Sequence, residues 1–194
     1  MGKAIRRFGV AVVLGITPAV PSAAEQTPSP PLVLTVHVDN HANISAGVLA
    51  GARDEASRVY RAIGVTIRWT EGANAATDAS PAVRVLLLSR VMANRKIAAE
   101  GLPDSVLGQA LREVGWTYIY WDRVKAHASK YARNPIEILA IVVAHEIGHL
   151  LLPDNGHSPL GIMQAAFDAR TAIAPRFTAD QAKIIRGVLG GDEP

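Results

Sequence analysis

Cysteine is absent from the 194 residues, and this absence excludes several classes of protein at once. A chain without cysteine forms neither disulfides nor thiolate metal sites, and it offers no cysteine for a lipid anchor. Aromatic residues are also few, at 5% of the chain. A disulfide-stapled secreted domain and a zinc–thiolate domain are therefore both excluded.

A long hydrophobic run is also missing outside the N-terminus. Three basic residues open the chain, an apolar run from Phe8 to Val20 follows, and small residues end the segment at Ala24. This order is typical of a secretory signal peptide, and we predict that residues 1–24 are cleaved off. The run is too short to span a bilayer comfortably, and Pro18 interrupts it. We therefore expect an exported protein, periplasmic or extracellular, with no stable membrane association after cleavage.

A net charge is also missing once the predicted signal peptide, residues 1–24 (the leader), is set aside. The chain has 20 Lys+Arg and 17 Asp+Glu residues, and the leader carries three of the basic and none of the acidic ones. Cleavage thus leaves 17 of each sign, and no basic patch indicates a nucleic-acid partner. Residues 25–31 are rich in proline and are interpreted as a flexible lead-in. The remaining residues, 32–194, suit one domain with an adequate core, which we expect to be a monomer.

The order of the predicted elements indicates an α+β fold. Strand and helix patterns alternate at the start, which suggests a helix packed on a small mixed sheet. The segment from Val91 to Asp104 is poorly patterned and is interpreted as surface. We predict strands over Leu32–Val38, Val65–Trp69, Ala82–Leu88 and Gly115–Trp121, a short edge strand over Ser105–Leu111, and helices over Ser45–Ile63, Asn134–Leu152 and Thr178–Gly190.

The residues with a recognisable chemistry are His145-Glu146-Ile147-Gly148-His149, inside the predicted helix 134–152. Residues four apart lie on the same face of a helix, so His145 and His149 can aim two imidazoles at one point. Glu146 lies beside that face and can reach a water bound there. This is the arrangement of zinc peptidases, in which the histidines bind Zn²⁺ and the glutamate is the general base. The remaining histidines near strands or in polar segments, His37, His41 and His127, are interpreted as surface or structural residues.

A catalytic zinc site needs three protein ligands and an open fourth position, so one ligand must come from outside the helix. His157 is the favoured candidate, because Pro153 ends the helix and a turn with Gly156 can bring the chain back toward the metal. Acidic residues downstream stay open as alternatives: Asp154, Asp168 and Asp180. We interpret Asp180 as structural, since it lies at the start of the last helix.

At these residues the sequence resembles the metzincin class of zinc peptidases, particularly its matrixin-like members. The matching residues are 145–149, then His157-Ser158 and then Gly161-Ile162-Met163. The resemblance implies that Met163 lies in a turn beneath the metal and supports the ligands by packing. It also implies a small twisted mixed sheet with a packed helix, an active-site helix, a methionine turn and a C-terminal helix. Gly148 is costly inside a helix, so we expect another segment, such as the methionine turn, to approach it closely.

The sequence departs from the family's pattern between the second and third histidines. The family has glycine three residues after the second histidine and its third histidine six residues after. Leu152 and Asn155 occupy those positions here, and His157 lies eight residues after His149. The chain must therefore leave the helix differently.

The sequence thus predicts a secreted or periplasmic zinc endopeptidase that cleaves peptide or protein substrates. In this hypothesis zinc makes a water reactive and Glu146 moves its proton. Two alternatives remain open. One is an exported zinc-binding protein without peptidase activity, and the other is a zinc amidase that acts on a non-protein amide.

Overall fold

A mixed β-sheet forms the centre of the fold in the computed structural model, which describes residues 31–72, 81–153, 156–165 and 176–191. Within these ranges the strand order is β2-β1-β3-β5-β4. The first four strands in that order are mutually parallel, and β4 pairs antiparallel with β5 at the edge. The strands are β1 (Leu32–Asn40), β2 (Val65–Glu71), β3 (Ala82–Leu87), β4 (Gly108–Leu111) and β5 (Trp116–Ile119).

Helices connect and cover the strands. A 3₁₀ turn at Arg112–Val114 joins β4 to β5. None of the helices in the described ranges is long and apolar enough to cross a bilayer. The helices are α1 (Ala46–Arg61), α2 (Arg90–Glu100), α3 (Trp121–Lys130), α4 (Pro135–Leu151) and α5 (Ala179–Gly190).

The two faces of the sheet bury different sets of side chains, because successive residues of a strand point to opposite faces. In β3, Val85 and Leu87 join the main core, which also contains buried residues of α1, α4 and α5. Leu86 between them points to the other face, where it packs with Ala93 of α2. Helix α4 therefore lies on the main-core side, next to α1 and α3.

The structure contradicts two predictions about secondary structure. Most of the segment from Val91 to Asp104, interpreted as poorly patterned surface, belongs to α2 (Arg90–Glu100). The Ser89 hydroxyl caps this helix by accepting a bond from the Met92 amide, and Gly101 ends it in the left-handed conformation. The predicted strand Gly115–Trp121 is also too long, since β5 ends at Ile119 and Trp121 begins α3.

Helix α3 was not predicted, and the predicted edge strand Ser105–Leu111 begins only at Gly108. The other predicted strands and helices are present, and the predicted α+β fold with a mixed sheet, a packed helix and a C-terminal helix is confirmed. The predicted edge strand is present as β4. The predicted leader, residues 1–24, lies outside the described residues, as does nearly all of the lead-in. The division into a leader, a lead-in and one domain stays a prediction.

Candidate metal centre

Helix α4 carries the two histidines predicted to act as a pair. Asn134 caps the helix by accepting a bond of 2.9 Å from the Ile136 amide, and Pro135 occupies its first turn. The helix is buried over most of its length, as its apolar sequence requires. His145 and His149 are only partly buried and point the same way, with their Nε2 atoms 2.9 Å apart. One turn of helix thus presents two imidazole nitrogens at one point.

His157 joins this pair from the segment that follows the helix. Its ring centroid lies 4.7 Å from that of His149 and 5.5 Å from that of His145. One nitrogen of each ring lies within 4.8 Å of the others. Tetrahedral zinc, with Zn–N bonds of about 2.0–2.1 Å, holds its ligand nitrogens about 3.3 Å apart. The spacing of the three nitrogens is therefore close to the spacing that one zinc ion needs.

Among the described residues, these three histidines are the only His, Asp and Glu side chains grouped closely enough to hold a metal. Asp180 is exposed in the first turn of α5, outside that group. Asp154 and Asp168 lie outside the described residues. His37 is buried on β1, with its Nδ1 2.6 Å from the Thr70 hydroxyl, and is likewise outside the group.

The ring of His145 is oriented by a backbone carbonyl. Its Nδ1 lies 2.8 Å from the oxygen of Ile162, and because a carbonyl only accepts, Nδ1 must carry the proton. The lone pair is then on Nε2, the atom that faces His149. Burial lowers the pKa of His145, although the bond to Ile162 opposes this shift. The neutral imidazole, which is the metal-binding form, is therefore favoured.

Glu146 lies on the same helix with its carboxyl against β4. Its side chain is 7% exposed, and burial raises its pKa to about 8. A Cβ placed on Gly108 would lie 2.7–2.9 Å from the Glu146 Cγ, Cδ and Oε1 atoms, so a larger residue there would have to displace this side chain. A nearby dication would lower this pKa, because an opposite charge favours the carboxylate.

The methionine turn packs beneath the helix at Gly148. A Cβ on Gly148 would lie 2.6 Å from the Met163 sulfur and 3.1 Å from the Phe177 ring, which confirms the expected close approach. Met163 itself is fully buried. Gly161 has a φ of +83°, and a Cβ there would lie 2.3 Å from the Arg176 carbonyl, which accepts a bond from the Ile162 amide. The turn is thereby fixed to the backbone that leads into α5.

A cleft of about 1090 Å³ opens in front of these side chains. The three histidines and Glu146 all line it. Strand β4 forms one wall, and residues of α3, including His127, form part of another. The three histidines and Glu146 thus face an open cleft between β4 and α3.

Two residues that contact this site were not predicted from the sequence. Nothing in the sequence singles out Gly108, since a glycine in a short strand indicates only that the strand is weakened there. Arg112 donates from Nη2 to the His149 carbonyl at 2.8 Å, near the C-terminal end of α4. A cation is favourable at this end of a helix, but its position in the sequence gives no hint of the contact.

No protein-family model matches the chain, and no curated protein matches it in sequence. Solved structures do resemble it. The chain is similar to archaemetzincin from Methanopyrus kandleri at 13% sequence identity with a TM-score of 0.50, over 85% of this chain and 99% of that one. It is also similar to a zinc-dependent peptidase from Methanocorpusculum labreanum at 11% identity with a TM-score of 0.48, over 78% of this chain and 99% of that one.

The likeness to archaemetzincin establishes the fold, in agreement with the α+β architecture predicted from the sequence. The finer assignment to matrixin-like members stays a prediction, because a likeness at 13% sequence identity shows the fold alone.

Proposed function

We propose that this chain is an exported zinc-dependent peptidase with His145, His149 and His157 as metal ligands and Glu146 as general base. The observation that carries the proposal is the convergence of three imidazoles beside a buried carboxyl, at the bottom of an open cleft. The similar structure from Methanopyrus kandleri is an archaemetzincin by name, which agrees with the metzincin resemblance of the sequence. The leader pattern of residues 1–24 supports export.

The residues present suit zinc rather than a harder ion. Three neutral imidazoles are good ligands for zinc, whereas calcium and magnesium prefer oxygen. A zinc ion held by His145, His149 and His157 would lower the pKa of a water toward neutrality and polarise the carbonyl of the scissile bond. The contact of His145 with Ile162 and the support of Met163 hold the ligand set in place.

Glu146 is placed to move the proton in this reaction. The carboxylate takes a proton from the attacking water and returns it to the nitrogen of the leaving amine. Its burial against Gly108 limits the directions in which the carboxyl can turn. General acid–base catalysis of this kind contributes roughly 10²- to 10⁴-fold to the rate.

The substrate proposed for the cleft is an extended peptide. Strand β4 is an edge strand of the sheet in the described residues and also lines the cleft. An edge strand has free backbone groups along one side, and a peptide can add to it as a further strand. Such pairing would place a peptide bond near Glu146, because Gly108 of β4 contacts that side chain.

The open cleft favours an enzyme over an exported protein that only stores zinc. Structural and storage sites are closed by a fourth protein ligand, whereas catalytic sites keep one position accessible. Here the described residues provide three ligands, and all three line the cleft.

The test compares wild type with Glu146→Gln and with Glu137→Gln as a matched control. Glu137 lies at the start of the same helix and pairs with Arg133 at 3.0 Å, outside the cleft lining. We expect Glu146→Gln to keep one equivalent of zinc and to lose roughly 10²- to 10⁴-fold in hydrolysis of a denatured protein. Glu137→Gln should behave as wild type. A wild-type rate of hydrolysis in Glu146→Gln would refute the mechanism. If the wild type itself binds zinc but hydrolyses nothing, the reading as a zinc-storage protein is favoured.

A further inference from the structure

The third histidine lies on a segment whose position the helix cannot determine. Helix α4 ends at Leu151, and Leu152 is already extended, with a ψ of 145°. The backbone bonds that fix the helical histidines therefore do not reach His157. Some other contact must hold residues 156–158 beside the pair.

The side chain of Gln181, on α5, makes that contact. Its Nε2 atom donates to the Gly156 carbonyl at 3.0 Å and lies 3.0 Å from the Ser158 hydroxyl. These two residues stand directly before and directly after His157 in the chain. Gln181 is 7% exposed, so the contacts are shielded from water. One buried side-chain amide thus bonds to the residue on each side of His157, to the backbone of Gly156 and to the side chain of Ser158.

The orientation of this amide is fixed by its other end. The Gln181 Oε1 accepts a bond of 3.0 Å from the backbone N–H of Thr178. The Thr178 hydroxyl in turn accepts a bond of 3.3 Å from the backbone N–H of Gln181. This is the capping box that begins α5. An amide nitrogen can only donate and a carbonyl can only accept, so a flipped side chain would fail at both ends.

The same connection continues to the helical ligand. The Ser158 amide donates to the Met163 carbonyl at 2.9 Å, and the neighbouring Ile162 carbonyl accepts from His145. The Ser158 hydroxyl donates to the Leu160 carbonyl at 2.7 Å, which leaves its lone pairs for Gln181. Helix α5 is thereby linked to both segments that supply metal ligands.

We propose that Gln181 is a positioning residue of the metal centre, which holds His157 at the distance from His145 and His149 that zinc binding needs. The inference rests on the zinc site of the proposed function. A capping box accepts glutamate or glutamine equally well, but only glutamine can donate to Gly156 and Ser158. The positioning of His157 therefore depends on the side-chain nitrogen of Gln181, which the capping of α5 does not use.

The test measures zinc affinity by competition with a chelator, together with thermal unfolding of the metal-free protein. Gln181→Glu keeps the oxygen that the cap needs and loses the donor, and Gln181→Met is a neutral variant that loses both. Mutation of a residue that orients a metal ligand typically lowers metal affinity 10- to 100-fold. We expect a loss of this size in both variants. Ser158→Ala, which removes one acceptor, should show a smaller loss.

Thr178→Ala is the control, because it removes the capping hydroxyl and leaves the Gln181 side chain. We expect it to lower the unfolding temperature of the metal-free protein with zinc affinity close to wild type. Cobalt substitution adds a readout that a purely structural role would not change, since the visible d–d bands should shift in the Gln181 variants when His157 is displaced.

Wild-type affinity in both Gln181 variants would overturn the inference, and so would an equal loss of affinity in Thr178→Ala. If the wild type binds no zinc, the proposed function fails together with the inference. If the wild type binds zinc and the Gln181 variants bind it equally well, only the inference fails.

Discussion

The two segments that supply imidazoles are held in place by different kinds of interaction. In α4, the spacing of His145 and His149 is a property of the helix itself, and their Nε2 atoms lie 2.9 Å apart. The segment with His157 has no regular backbone structure that would fix the position of its imidazole. Its position depends on bonds from Gln181, which is 25 and 23 residues away from the two groups it contacts. Two ligands are thus fixed locally, and the third is fixed by tertiary structure.

The first change tests this difference directly. We predict that His145→Ala weakens zinc binding at least about tenfold more than His157→Ala does, a difference of about 1.4 kcal/mol. His157→Ala leaves the helical pair, whereas His145→Ala leaves one helical and one loop nitrogen and removes the donor to Ile162. Equilibrium dialysis against a weak chelator measures both. Equal losses would show that the loop is as well organised as the helix.

A second change should affect the proposed base, Glu146, without affecting the zinc ligands on the same helix. We predict that Gly108→Ala lowers turnover roughly 10- to 100-fold, because a displacement of about 1 Å at a reacting group can cost that much. The added Cβ would lie 2.7–2.9 Å from the Glu146 side chain. Zinc content should stay at the wild-type value, since none of the three histidines is among the nearest contacts of that position. Loss of both zinc and turnover would contradict this separation.

A third change concerns the contact between α4 and the methionine turn. We predict that Gly148→Ala destabilises the metal-free protein by about 1–3 kcal/mol, because its Cβ would overlap the Met163 sulfur. Chemical denaturation measures the change in the free energy of unfolding.

Gly47→Ala in α1 is the matched control for this change. Gly47 has no heavy atom within 4 Å of an added Cβ, and alanine is the better helix former by about 1 kcal/mol. We expect the opposite sign there. Destabilisation by both substitutions would mean that the contact with Met163 is not the cause.

The same contrast explains what could be predicted from the sequence. Helix α4 is predictable because Asn134, Pro135 and Pro153 mark its ends and an apolar run fills it. Strands β1, β2 and β3 are predictable from their β-branched and alternating residues. His157 is favoured on residue type and turn chemistry alone, and the structure brings it to the helical pair.

Elements with a weak apolar pattern escape prediction. Helix α2 buries only Ala93, so its hydrophobic periodicity is faint. Its ends are nevertheless marked in the sequence, since Ser89 and Gly101 are typical capping residues. In the last strand, alternating aromatic residues continue past Ile119, but tertiary packing of Val124 and Ala128 makes Trp121 the start of α3.

Contacts between distant residues could not be predicted from the sequence. The capping box of Thr178 and Gln181 is recognisable, because its two residues are three apart. The bonds from Gln181 to residues 156 and 158 have no local signature. Gly108 is a similar case, because only the fold shows that the Glu146 side chain occupies the space above it. At Gly148 the sequence does predict a close approach, and the structure identifies Met163 and Phe177 as the side chains that make it.

The dependence on α5 has a consequence for the order of events during synthesis. A ribosome makes the chain from its N-terminus, so the histidine-bearing helix and the methionine turn emerge before Gln181 does. A nascent chain at that stage carries every proposed ligand but lacks the clamp that brings them together. The proposed metal site would then be completed late, only after α5 has been made.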